Sequence, residues 1–440
     1  MHEIVPVNLG AVNRGALVKT SRSTLRATTR VAAIGLFAFS THVLSAQTGT
    51  WIASWAASPE KADPNPKDPM LKLQDQTVRE RVQLSVGGSK IRLRLSNEFG
   101  TTPLQVNAVT VAIPVDSTSV RHDSIRSVMF GGHLQVRVPA GRTALSDPVA
   151  FSVPDGAQIS LSLYLPRSVA TSTWHRSALK HAVVSVPGDH THEDNIAGGA
   201  DSTKLIFASA VLVPAKPTQR VLVVMGDSIV DGIGSTVDAD RSWPSDLARR
   251  LSKLPEASRL AVVNEGIAGN RLLGEGPLSS LGKSVLARFD RDALSVPGVT
   301  HVILLEGIND IGFPGAKLGD LLLADAKDVR SAEDLIGAYR QLIAGAHARG
   351  VKLIGCTLTP YEGVDIPDYY SEEKEAVRQA VNQWIRTASA FDGVIDLDAL
   401  LRDPKHPTRL LPRFASEDNL HPNDDGYQAM ADATDLALFK

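Results

Sequence analysis

One cysteine, Cys356, occurs in 440 residues. No disulfide can therefore close within the chain, and stability has to come from packed cores. Cys356 lies in an apolar run, Val351 to Leu358, that reads as a buried strand, so its expected role is packing. Internal repeats and low-complexity tracts are absent, and the composition is that of an ordinary globular protein, 43% hydrophobic with 34 Gly and 25 Pro, long enough for two cores. A comfortable membrane span is also missing. The longest apolar stretch near the start, Val31 to Leu44, is interrupted by Ser40, Thr41 and His42 and falls short of the roughly 20 apolar residues a span needs.

That stretch follows Arg14, Lys19, Arg22, Arg26 and Arg30 and ends in Leu44-Ser45-Ala46, the layout of a secretory signal peptide over residues 1–46. An uncleaved anchor is the alternative. Removing the segment takes away five basic residues and one acidic residue, leaving 41 basic against 47 acidic and a net charge of −6. Such a surface does not seek nucleic acid or anionic lipid. A secreted or periplasmic protein, with no stable membrane insertion after cleavage, is expected.

From Trp51 to about Val213 the hydrophobic period is two. Val82, Leu84 and Val86 alternate with polar residues, Gly87-Gly88 supplies a turn, and Ile91, Leu93 and Leu95 alternate again, which predicts a hairpin. Further alternating runs at Leu104–Ala112, Leu134–Val138 and Ile159–Leu165 predict a β-sandwich, jelly-roll-like, over residues 47–213. Past Pro214-Ala215-Lys216-Pro217 the pattern changes. Strands apolar throughout (Val221–Met225, Leu260–Val263, His301–Leu305, Val351–Thr357, Val394–Leu397) alternate with helices at Trp243–Leu254, Leu335–Ala348 and Glu372–Thr387, which predicts a parallel sheet covered on both faces over residues 218–440.

Ligands of open α/β sheets bind beyond the carboxyl ends of the strands, and the polar residues collect there. Gly226-Asp227-Ser228 follows the first strand, Asn264-Glu265-Gly266-Ile267-Ala268-Gly269-Asn270 the second and Glu306-Gly307-Ile308-Asn309-Asp310 the third; Asp418-Asn419-Leu420-His421-Pro422 lies near the C-terminus. These four blocks, in this order, resemble the SGNH (GDSL-like lipase/esterase) hydrolase family. The resemblance covers roughly residues 218–440 and implies a flavodoxin-like three-layer α/β fold for that domain. It implies Ser228 as nucleophile, His421 as its base and Asp418 as the residue orienting that base. It also implies an oxyanion hole from the backbone N–H groups of Ser228 and Gly269 and the Asn309 amide, with no cofactor and no metal.

The residue types suit that chemistry. A serine hydroxyl needs a base whose pKa lies near the working pH, which histidine supplies. Neutral donors such as a glycine N–H and an asparagine amide stabilise charge on the former carbonyl oxygen. Asp418, three residues before His421, can reach Nδ1 across a tight loop while Nε2 faces Ser228. Asp227 and Asp310 are expected to hydrogen-bond structurally, Asp310 anchoring its own loop.

Two rival chemistries leave marks in the sequence. The α/β-hydrolase elbow, G-x-S-x-G, fails because Val230 stands two residues after Ser228. A metal site could use His190-Thr191-His192-Glu193-Asp194, but a segment bordered by Gly and Asp reads as a solvated loop. His175, His181, His301, His347 and His406 are expected to be structural. In the N-terminal part, Trp51, Trp55 and Trp174 could form a sugar-stacking face or pack inside. Together these readings predict a serine esterase of small acyl esters, with acetylated polysaccharide the first substrate and lipid or aryl esters the second. A non-catalytic carbohydrate-binding protein is the non-enzymatic alternative.

Overall fold

A computed structural model describes residues 50–63, 72–196 and 200–440, and the segment read as a signal peptide lies outside the described residues. Gly49–Lys440 form one compact unit. Strands dominate up to Pro214 and are antiparallel throughout. One sheet runs Trp51–Ala56, Ala208–Pro214, Gly88–Ser96, Thr143–Leu145, with Val149–Val153 also on Gly88–Ser96. A second runs Ala200–Ser202, Ala182–Pro187, Gln76–Gln83, Gln158–Leu165, Ala108–Ala112, Arg126–Ser127. Inward residues alternate as the period-two pattern requires: Val78 and Val82 on one strand, Ile159, Leu161 and Leu163 on its partner, and Ile91, Leu93 and Leu95 on the other sheet are all buried.

The hairpin expected around Gly87-Gly88 does not form. Gln76–Gln83 and Gly88–Ser96 belong to different sheets, and the segment between them crosses from one to the other. Leu84 N–H donates to the Ala157 carbonyl and Ser85 N–H to the Ser54 carbonyl. At Gly87 a Cβ would sit 2.1 Å from the Val153 oxygen, so its glycine serves a close backbone approach rather than a two-residue turn.

The α/β part carries five parallel strands: β1 (Arg220–Gly226), β2 (Leu260–Gly266), β3 (Val299–Leu305), β4 (Lys352–Cys356) and β5 (Gly393–Ile395), in the order β2-β1-β3-β4-β5. Its helices are α1 (Ser228–Asp231), α2 (Trp243–Ser252), α3 (Val285–Phe289), α4 (Ile308–Gly312), α5 (Ala332–Ala348), α6 (Glu372–Thr387), α7 (Leu397–Leu401) and α8 (Asp424–Ala433). β1 is buried from Val221 to Gly226, as a central strand covered on both faces has to be. The β-rich part packs against this sheet and shares its core. Ala53 N–H donates to the Pro297 carbonyl at 3.0 Å, Val262 N–H to Ser85 Oγ at 3.0 Å, and Ser58 Oγ to Glu265 Oε2 at 2.6 Å. Trp174 is buried at 3% exposure and Trp51 and Trp55 are half-buried, so packing is the observed role of Trp174. Cys356 is buried in β4.

Candidate active site

Ser228 stands where β1 turns into α1. The turn is tight because Gly226 has no side chain: a Cβ there would meet the Leu305 carbonyl oxygen at 2.1 Å. Asp227 caps the helix, its Oδ1 accepting from Ile229 N–H at 2.9 Å. The Ser228 hydroxyl lies 2.7 Å from His421 Nε2, and His421 Nδ1 lies 2.5 Å from Asp418 Oδ2. Residues 193 positions apart in sequence are thus joined in one hydrogen-bonded chain. The loop before α8 makes this possible: Asn419 adopts a left-handed φ of 55°, and Ser416 N–H donates to the His421 carbonyl at 2.9 Å. Asp418 Oδ1 accepts from Ser416 Oγ at 2.7 Å and from the Leu420 and His421 N–H groups, both at 2.9 Å. Partial burial opposes charge on Asp418, but the His421 ring and these N–H donors outweigh it and hold the carboxyl well below the usual carboxylate range. An ionised Asp418 then fixes the proton on Nδ1 and leaves Nε2 free to accept from the serine hydroxyl.

The expected oxyanion donors come from three separate segments. Gly269 has φ +79°, and a Cβ there would press within 2.6 Å of Leu281 Cδ2, so both backbone and space demand glycine. Asn309, the second residue of α4, is 3% exposed. Its Nδ2 donates to the Asn270 carbonyl at 2.8 Å and its Oδ1 accepts from the Tyr369 hydroxyl at 2.7 Å, which fixes which way the amide faces and leaves its second N–H. The backbone N–H groups of Ser228 and Gly269 have no hydrogen-bond partner among the described residues.

Residues 224–429 match the GDSL-like Lipase/Acylhydrolase family. That match lies within the α/β part of this chain, which it marks as a GDSL-like lipase/acylhydrolase domain. No curated protein gives a match. Among solved structures, a GDSL-like lipase from Bacteroides thetaiotaomicron is 16% identical, covering 50% of this chain and 87% of its own, with a TM-score of 0.36. An acetylxylan esterase from Geobacillus stearothermophilus is 20% identical, covering 50% of this chain and 94% of its own, with a TM-score of 0.36.

Beneath Ser228 lies a set of buried charges. Burial pushes the Asp227 carboxyl up, with Asp310 and Asp231 adding to the effect and the Ile229 N–H and His421 opposing it. Glu306 is raised well above the ordinary range, chiefly by burial and then by Asp227 and Asp310. Asp310 accepts from the N–H groups of Leu272 and Leu273 at 2.6 and 3.0 Å, so it anchors the loop after β2 rather than its own loop. Arg288, fully buried on α3, binds Asn270 Oδ1, the Glu265 and Gly226 carbonyls and Ser58 Oγ, all within 2.9 Å. It ties the chain just before Ser228 to the second block and to the β-rich part.

Neither Arg288 nor Tyr369 stood out in the sequence, because each lies outside the four blocks. His175, expected to be structural, places Nε2 3.1 Å from Asp231 Oδ1 on α1. A cavity of about 140 Å³ lies beside α1, with Arg81, His175, Lys180, Asp231 and Asp240 in its wall, whereas Ser228 and His421 are not part of it. The His190–Asp194 segment is a turn wrapped around the Arg79 guanidinium, which donates to the carbonyls of Glu193, Asp194 and Thr118. No group of metal-ligating side chains occurs among the described residues.

Proposed function

We propose that this chain is a serine esterase in which Ser228 attacks the ester carbonyl, His421 takes and returns the proton, and Asp418 orients and charges the imidazole. The observation that carries the reading is the continuous chain of contacts, 2.5 Å from Asp418 to His421 and 2.7 Å on to Ser228. Attack puts negative charge on the former carbonyl oxygen, and the N–H groups of Ser228 and Gly269 with the Asn309 amide are assigned to receive it. Collapse expels the alcohol, protonated by His421, and water then repeats the sequence on the acyl-serine. The strand order β2-β1-β3-β4-β5 supports the flavodoxin-like reading of this domain.

Small acyl esters, acetyl groups on polysaccharide first, are the proposed substrates, and export to the periplasm or beyond is the proposed setting. Lipid esters are the second reading, favoured by exposed Leu318 and Leu322 on the hairpin that follows α4. Rates on p-nitrophenyl esters of increasing chain length, set beside acetate release from acetylated xylan, decide between them. A short-acyl enzyme peaks at acetate or propionate; a lipid esterase peaks at longer chains and releases no acetate. Ser228→Ala is expected to remove nearly all activity while leaving the melting temperature unchanged. A folded Ser228→Ala that retains more than a few per cent of the rate contradicts the assignment.

A further inference from the structure

The loop that carries Gly269 is held from the β-rich part of the molecule. Arg176, just after the strand Thr173–His175, donates from Nη2 to the Ala268 carbonyl at 3.1 Å. Asp231 Oδ2 accepts from Ala268 N–H at 2.9 Å, so Ala268 is pinned on both sides. The two contacts are linked. His175 bridges Asp231 Oδ1 and the Ser58 carbonyl, both at 3.1 Å, and Arg176 N–H donates to Glu60 Oε2 at 3.1 Å. Both ring nitrogens of His175 face acceptors, which requires the imidazolium. Burial lowers its pKa, but Asp231 and Glu60 outweigh that and carry it to about 9.

The Ala268 carbonyl and the Gly269 N–H are opposite ends of one peptide unit. That unit is planar and trans, so its C=O and N–H point in opposite directions. A cation bonded to the oxygen sets the plane, aims the N–H away from Arg176 and polarises it into a stronger donor. Gly269, at φ +79°, gives the loop no side chain with which to hold that plane by itself.

We propose that Arg176 is a positioning residue for the oxyanion hole, a β-rich-part side chain that orients and polarises the peptide whose N–H end is the Gly269 donor. This rests on the esterase reading above. The β-rich part is then a structural member of the catalytic apparatus, and its packing against the α/β sheet has a chemical purpose.

The test compares Arg176→Gln, Arg176→Lys and Asn309→Ala in the full chain, with p-nitrophenyl acetate as substrate and a trifluoromethyl ketone, which forms a tetrahedral adduct with the serine, as inhibitor. Asn309→Ala removes a donor outright and is expected to lower kcat by roughly 10²–10³ with KM little changed. Arg176→Gln misaims a donor, so kcat should fall by about tenfold with KM within about twofold, and the inhibitor should bind more weakly by the same factor as kcat falls. Arg176→Lys keeps the charge and should recover most of the loss; if Arg176→Gln does not fold, the lysine variant is read for a smaller, parallel fall in kcat and inhibitor affinity. A folded Arg176→Gln variant with wild-type kcat and inhibitor affinity, or a loss confined to KM, overturns the role of Arg176. An Asn309→Ala enzyme with unchanged kcat overturns the oxyanion reading itself.

Discussion

At the scale of the residue, the proposed catalytic groups should carry unequal weight. With His421 as the proposed base, His421→Ala should cost nearly as much as losing Ser228, while Asp418→Ala should cost roughly tenfold less than His421→Ala. Because the two act as a unit, adding Asp418→Ala to His421→Ala should lower kcat little further. Steady-state kinetics of the three variants checks this, and additive losses would mean that Asp418 works apart from His421. Ser228 stands in a block at the end of a strand, and Asp418 and His421 in a block near the C-terminus, so the sequence already singled out the three residues that the structure brings into one hydrogen-bonded chain. Tyr369, which holds the Asn309 amide, and Arg288, which ties Gly226 to Asn270, were not singled out. Side chains that hold others in place can come from anywhere in the chain, and nothing about their neighbours in sequence marks them.

At the scale of the element, the α/β half was the more legible. Strands apolar along their whole length point to a parallel sheet covered on both faces, and α6 spans Glu372–Thr387 as its periodicity predicts. The β half was legible strand by strand but not in its pairing. A period of two says which face is buried and is silent about which strand lies alongside. Gly87-Gly88 therefore looked like a hairpin turn although the chain crosses between sheets there. The crossing makes its own prediction. Gly87→Ala places a methyl against the Val153 and Pro154 backbone, which cannot rotate aside as a side chain can, and should cost roughly 2–3 kcal/mol. Urea titration reads that loss as a lower midpoint at constant slope; an unchanged midpoint would show that the crossing is loose.

At the scale of the whole molecule, two parts joined through one core share a response to pH. Glu80, buried in the β-rich core with one oxygen lacking a partner, is pushed by burial to about 8, against which the Ile206 N–H works. Its folded pKa lies above its unfolded one, so the unfolded state holds fewer protons across that window and stability falls as pH rises from about 4.5 to about 8. Glu80→Gln keeps the acceptor for Ile206 and cannot ionise. Relative to the wild type it should gain roughly 3 kcal/mol between pH 5 and pH 7.5; parallel melting curves across that range would show that Glu80 does not titrate. Whether Ser228 in the folded chain is a nucleophile activated by His421 is tested most directly by intact-mass analysis after exposure to a fluorophosphonate. A single adduct is expected that maps to the peptide containing Ser228, is absent in Ser228→Ala and forms far more slowly in His421→Ala. An adduct on another residue, or one that survives Ser228→Ala, would contradict that role of Ser228.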